Sequence, residues 1–166
     1  MNLSEFQNVK ENIYPKASLC DSRFSNIVFE EAGIIFHFPD GIAVDERQDE
    51  TASKNEFFRT RDAAVLINDC TFDDIRCRII TRFCVFGKLY YFGHDIEPSQ
   101  MIRFMKGHQL EVVDELYSYQ YLFWRCVVHA NKRGYTSSEF EISIENVKGI
   151  TYYWNEERQG QKVAFN

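Results

Sequence analysis

The stretch from Leu110 to Trp154 constrains the fold of this chain more than any other. It holds four segments rich in β-branched and aromatic residues: Leu110 to Tyr117, Tyr121 to His129, Glu139 to Glu145 and Ile150 to Trp154. In Glu139 to Glu145 the alternation is strict, with Phe140, Ile142 and Ile144 on one side and Glu139, Glu141 and Glu145 on the other. A period of two marks a strand with one buried face. The breaks fall near Ser118, Lys132-Arg133-Gly134 and Lys148-Gly149. Parallel neighbours need a connection of about a dozen residues or more, so strands this closely spaced are predicted to pair antiparallel.

The same pattern appears upstream. Phe24 to Glu31 and Ile34 to Phe38 read as a hairpin joined by Glu30-Glu31-Ala32-Gly33, and Pro39-Asp40-Gly41 is a turn leading into Ile42 to Val44. Ala63 to Ile67 is a continuous apolar strand. Ile75 to Phe86 alternates, with Ile75, Cys77, Ile79, Phe83 and Val85 facing one way and Arg76, Arg78 and Arg82 the other, and Gly87-Lys88 turns the chain into Leu89 to Phe92. Two helices are predicted. In the first, Ser4 is an N-cap, Gln7 holds the capping-box position, Phe6, Val9 and Ile13 follow at helical spacing, and Pro15 ends it. The second starts at Glu97-Pro98-Ser99, presents Met101, Ile102 and Met105, and stops at Gly107. The predicted fold is mainly β (α+β): an antiparallel meander of about eight or nine strands forming a barrel or a two-layer sandwich, with an N-terminal helix and one helix after the central hairpin.

A length of 166 residues fits a single domain over residues 1–166. Within it we expect a helical lead over 1–20, a β body over 24–154 and a polar tail over 155–166. The charged run Asp45 to Glu56 reads as a solvated loop. Apolar runs such as Ala63 to Ile67 fall short of the roughly 20 residues that cross a bilayer, so no membrane is expected as a partner. The start, Met1-Asn2-Leu3-Ser4-Glu5, lacks the basic and apolar regions of a signal peptide, and a cytoplasmic location is expected. Cys20, Cys70, Cys77, Cys84 and Cys126 are odd in number and contain no Cys-x-x-Cys pair. They read as buried thiols, with no metal site and no cofactor expected.

Motifs for enzymatic chemistry are missing: there is no phosphate-binding glycine loop, no His-Glu-x-x-His and no Gly-x-Ser-x-Gly. The His37/Asp40 and His94/Asp95 neighbours place their carboxylates at turns or helix starts, where Asp has a local hydrogen-bonding role. The Asp69, Asp73, Asp74 cluster beside Cys70 reads as a solvated turn. A non-enzymatic protein is therefore expected.

Two features point to contact surfaces. The net charge is −6, which makes nucleic acid an unlikely partner and another protein, basic in character, the expected one. The acidic positions Glu139, Glu141, Glu145, Glu111 and Glu115 are the candidate protein-binding residues, against the ordinary account that they pair with the Arg76, Arg78, Arg82 stripe across strands. One specific form of this function is an immunity-type inhibitor that presents carboxylates to a basic nuclease or toxin. The alternative is a small-molecule-binding β barrel whose aromatic cavity is lined by Tyr119, Tyr121, Phe123, Tyr152 and Trp154.

Overall fold

The chain's computed structural model describes residues 1–14, 16–45, 57–130, 134–155 and 162–163. Its strands are β1 (Asn8–Glu11), β2 (Ala17–Ser18), β3 (Ser22–Phe24), β4 (Asn26–Glu30), β5 (Gly33–Phe38), β6 (Ala43–Val44), β7 (Phe57–Arg59), β8 (Arg61–Asn68), β9 (Ile75–Val85), β10 (Lys88–Ile96), β11 (His108–Ser118), β12 (Tyr121–Ala130), β13 (Gly134–Glu145), β14 (Ile150–Asn155) and β15 (Lys162–Val163). Among the described residues there is a single α-helix, α1 (Pro98–Met105), which follows the β9–β10 hairpin. Strands make up 64% of the structure.

Every strand pair is antiparallel. The strands form three sheets, ordered β1-β14-β8-β5-β4, β10-β9-β13-β12-β11-β3 and β15-β7-β6-β2. The two larger sheets face each other as a sandwich rather than closing into a barrel. Their shared core is aromatic at its centre: Trp124 of β12 meets Phe36 of β5 edge-on at 4.7 Å, and Phe24 of β3 packs on Phe36 at 5.4 Å. Strict alternation sets the register of β13, where Phe140, Ile142 and Ile144 are wholly buried, Glu141 is half-buried and Glu145 exposed. The continuous apolar run of β8 has a different cause. Ala63, Val65 and Ile67 enter the main core, while Ala64 and Leu66 lie with Ile35 under Leu3, Phe6, Val28 and Tyr153 on the far side of the sheet.

That second layer accounts for the main correction to the sequence reading. In place of the N-terminal helix there is one 3-10 turn over Leu3–Glu5, capped by Asn2, followed by β1 paired to β14. A short isolated helix is marginal in water, whereas β1 gains a full ladder with β14, and Phe6 packs on Tyr153 at 6.1 Å. Val9, assigned to the apolar helix stripe, is half exposed. Pro15 lies outside the described residues, as do 46–56 of the charged loop. Within the expected tail, Lys162–Val163 pairs with Phe58–Phe57. Helix α1 forms as expected: the Gln100 side chain accepts from the Glu97 N–H, and Met101 and Met105 are buried. Cys70, Cys77 and Cys126 are buried, Cys20 is partly so, and Cys84 is exposed on β9. Among the described residues no helix is long and apolar enough to cross a membrane.

Candidate functional site

The five acidic positions do not form one surface. Glu111 of β11 is buried and accepts from Arg23 Nε of β3 at 2.7 Å. Glu139 is ion-paired to Arg82 across β13 and β9, and Glu141 stands opposite Arg78 on one side and Arg125 on the other. The Arg and Glu stripes thus meet each other. Glu145 alone of the five is exposed at the strand end.

Glu115 has a different setting. Its carboxylate accepts from Ser18 Oγ at 2.8 Å, the Leu19 N–H at 3.2 Å and the Tyr117 hydroxyl at 3.1 Å. Burial raises its pKa above the ordinary carboxylate value, and the Ser18, Leu19 and Tyr117 bonds oppose that rise. The thiol of Cys20, raised by burial and by the Glu115 charge, lies 3.9 Å from the same carboxylate.

Tyr117 connects this group to a cleft of about 420 Å³ at one end of the sandwich. Three connections form the cleft: Asn12 and Tyr14 after β1, Ser118 to Gln120 between β11 and β12, and Val147 to Gly149 between β13 and β14. Hydrogen bonds tie them together, with Asn12 N–H donating to the Ile150 carbonyl (2.8 Å), Ile150 N–H to the side-chain Oδ1 of Asn12 (2.9 Å) and Val147 N–H to the Gln120 carbonyl (3.2 Å). Tyr14 and Tyr117 lie with ring centroids 4.2 Å apart, and Tyr152, wholly buried, also lines the cleft. The buried Tyr152 Oη and Trp124 Nε1 both turn to the Tyr117 hydroxyl, with which each interacts as a hydrogen-bond partner. Of the aromatic candidates, Tyr119, Tyr121 and Tyr152 converge on this cleft. Trp154 is buried in the core, and Phe123 lines a separate groove with Arg76, Arg78 and Glu141. Tyr14, Tyr117 and Lys148 were not among the candidates. The only local hint was the density of tyrosines around residue 119.

A second surface lies at the other end of the six-stranded sheet. Ladder pairing of β13 with β9 stops at Ser138↔Thr81, while β9 and β10 continue as a two-stranded arm to the Phe86-Gly87 turn. The face that is core at Ile75 and Cys77 runs on through Phe83, Val85, Tyr90 and Phe92 with, among the described residues, no second sheet over it. Phe83, Val85, Leu89, Tyr90, Tyr91 and Phe92 are 40–61% exposed, and Phe86 is fully so. Phe83 and Tyr90 stack at 5.7 Å, and Arg82 lies over Tyr91 at 5.6 Å. Phe83 and Val85 share the face of Ile75 and Cys77, as their alternation predicts, but among the described residues the covering layer ends before them.

Among the described residues no group of three or more His, Cys, Asp or Glu could hold a metal ion. The chain matches no protein-family model, no curated protein and no solved structure.

Proposed function

We propose that this chain is a non-enzymatic protein-binding module that docks through the β9–β10 arm onto a basic partner. What supports the reading is the arm's exposed aromatic surface. At about 200 Å² per large side chain, the exposed fractions of Phe83, Val85, Tyr90 and Phe92 on the face that continues the core amount to on the order of 400 Å², and Leu89 and Tyr91 add an apolar strip on the opposite face of the arm. A patch of that size is on the scale of the functional patches that monomers expose. The arm also presents β10 as a sheet edge, with Lys88 and Asp95 its only formal charges, open to an added strand.

The occupant is a different protein carrying an apolar groove in a basic surface. A net charge of −6 draws a basic partner and repels a second copy of the chain. An immunity-type inhibitor that masks a basic nuclease or toxin is one form of this reading. Because Glu111, Glu139 and Glu141 face arginines within the protein, their contribution is to the long-range field, and the arm supplies the contact.

The test compares wild type with the triple variant Phe86→Asn, Tyr91→Ser, Phe92→Ser as bait, followed by binding of the purified partner at low and high salt. Loss of the partner with the variant, and association slowed by salt, are expected. A partner held equally by both baits, a mass corresponding to a stable dimer of the chain, or binding only to anionic vesicles would each overturn the proposal.

A further inference from the structure

The free edge of the arm is β10, which has β9 on one side and, among the described residues, no strand on the other. It runs for 9 residues without a proline, and its register with β9 is unbroken from Lys88↔Val85 to Ile96↔Cys77. Edges built to avoid other chains carry bulges, prolines or several charges, whereas β10 is charged only at Lys88 and Asp95. The two-residue turn at Phe86-Gly87 fixes which of its backbone groups are free. In such a hairpin the closing pair, here Val85 and Lys88, exchanges both hydrogen bonds, and bonded pairs then alternate with non-bonded ones. Tyr90, Phe92 and His94 therefore bond β9, while Leu89, Tyr91, Gly93 and Asp95 turn their N–H and carbonyl groups to the open edge.

A row of charges across the sheet selects the chemistry of a strand added there. Asp114 of β11, Arg125 of β12, Glu141 of β13, Arg78 of β9 and Asp95 of β10 stand directly opposite one another on successive strands. Directly paired residues project from the same face, so the charge changes sign at every step of the row. Arg125 is ion-paired to Asp114, and Arg78 reaches Asp95 at 3.8 Å. The row ends at the open edge on Asp95, whose side chain is 89% exposed. One more step of the alternation is a Lys or Arg. Antiparallel pairing of β10 with the β10 of a second copy cannot supply it, because edge-facing positions pair only with edge-facing positions and Lys88, the one Lys or Arg of β10, turns its backbone to β9. We propose, building on the docking function above, that the partner binds by strand addition, an extended segment of a basic protein lying along β10 with a Lys or Arg beside Asp95. Apolar residues of that segment lie beside Leu89 and Tyr91 on one face and beside Tyr90 and Phe92 on the other. Main-chain bonds to the odd-numbered positions of β10 attach the segment, and the charge row sets its register.

The probe is a pool of random peptides of about seven residues, the length that spans Leu89 to Asp95, displayed on phage and selected against the full chain and, separately, against Asp95→Lys. Asp95 is exposed, so the reversal leaves the core untouched. Peptides rich in apolar residues with a Lys or Arg at one end are expected from the wild type, and an Asp or Glu at that same position from Asp95→Lys. A synthetic copy of the best wild-type peptide should bind Asp95→Lys roughly fivefold more weakly. Hydrogen exchange of the free protein should be faster at the amides of Leu89, Tyr91 and Gly93 than at those of Tyr90 and Phe92, and the bound peptide should slow the first three by at least roughly tenfold. A pool that enriches nothing, the same end charge selected by both baits, or three amides left unprotected by a bound peptide would each overturn the proposal. Docking through the arm fails separately. A partner lost with the triple variant Phe86→Asn, Tyr91→Ser, Phe92→Ser, yet bound by Asp95→Lys as tightly as by wild type, keeps that docking and removes strand addition.

Discussion

Phe86 offers the cleanest separation of contact from folding. It occupies the β9–β10 turn with φ of 50° and is followed by Gly87 at φ 73°, so both turn residues are left-handed, as in a type I′ hairpin. That conformation costs a non-glycine residue about 1–2 kcal/mol, and Asn tolerates it best. The Phe86 side chain is fully exposed, so it has no burial to offset that strain. Phe86→Asn is therefore expected to leave the protein as stable as wild type or to stabilise it by roughly 0.5–1 kcal/mol. That gain would raise the melting temperature by about 1–4 °C in a chain of this size. Truncating an aromatic anchor buried at an interface costs on the order of 2–4 kcal/mol, so partner affinity should fall by roughly 30- to 1000-fold. Urea unfolding followed by Trp fluorescence gives the first quantity, and titration calorimetry with the purified partner gives the second. A loss of stability above about 1 kcal/mol would mean that the ring packs on its own fold. In that case the account of the arm as an uncovered surface is wrong, whatever the partner does.

The remaining predictions concern the thiols and two left-handed glycines. Burial pushes the Cys77 thiol up to about 12 and, aided by the charges of Asp74 and Asp69, Cys70 up to about 11. The unfolded chain ionises both near 9, so their contribution to stability is complete below pH 9 and is lost as pH rises through 11 and 12. Urea midpoints should fall steadily above pH 9, and a flat profile from pH 8 to 10.5 would contradict the burial argument. Exposed Cys84 should be alkylated before Cys77 or Cys126. Gly33 has φ 139°, and a Cβ there would sit 2.0 Å from the Ile67 carbonyl oxygen. Gly33→Ala should therefore cost more than about 2 kcal/mol in urea unfolding. Gly87→Ala, left-handed but with open space around it, should cost about 1 kcal/mol.

Local pattern was enough to read the strands whose two faces differ. Glu139 to Glu145 admits one register, and Pro39-Asp40-Gly41 admits one kind of turn, with Gly41 at φ 76° donating its N–H to the Phe38 carbonyl. Pattern failed where the deciding interaction is remote in sequence. Phe6, Val9 and Ile13 fit a helix as local spacing, but their segment is a strand because β14, more than 130 residues later, offers it an edge. The setting of the acidic positions is decided remotely in the same way: Arg23, the partner of Glu111, lies just before the first strand read from the sequence. Tyr119, Tyr121 and Tyr152 were legible as a group because tyrosine suits a cavity wall, but proximity to Glu115 depends on how β11 meets the β2–β3 connection, which alternation does not encode.

The arm and the cleft share an origin in the chain's aromatic content. With 16% aromatic residues, the chain carries more rings than a two-sheet core of this size encloses. Trp124, Trp154, Tyr152, Phe24, Phe36, Phe38 and Phe140 fill that core. Part of the surplus lies at the two ends of the six-stranded sheet, tyrosines where Tyr121 pairs with Glu145 and mostly phenylalanine, leucine and valine where β9 outruns β13, while Phe6 with Tyr153 and Phe29 with Phe72 pack elsewhere. At about 3.4 Å per residue, β9 spans roughly 35 Å between those ends. Sites that far apart with no shared partners behave additively, so Tyr121→Leu should leave partner capture by the arm intact. The chemistry of the two ends differs in the same sense as their surroundings. Tyrosine rings lie near a partly buried carboxylate at the cleft, whereas the arm projects phenylalanine, leucine and valine together with Tyr90 and Tyr91, a surface on which area and shape set what can dock.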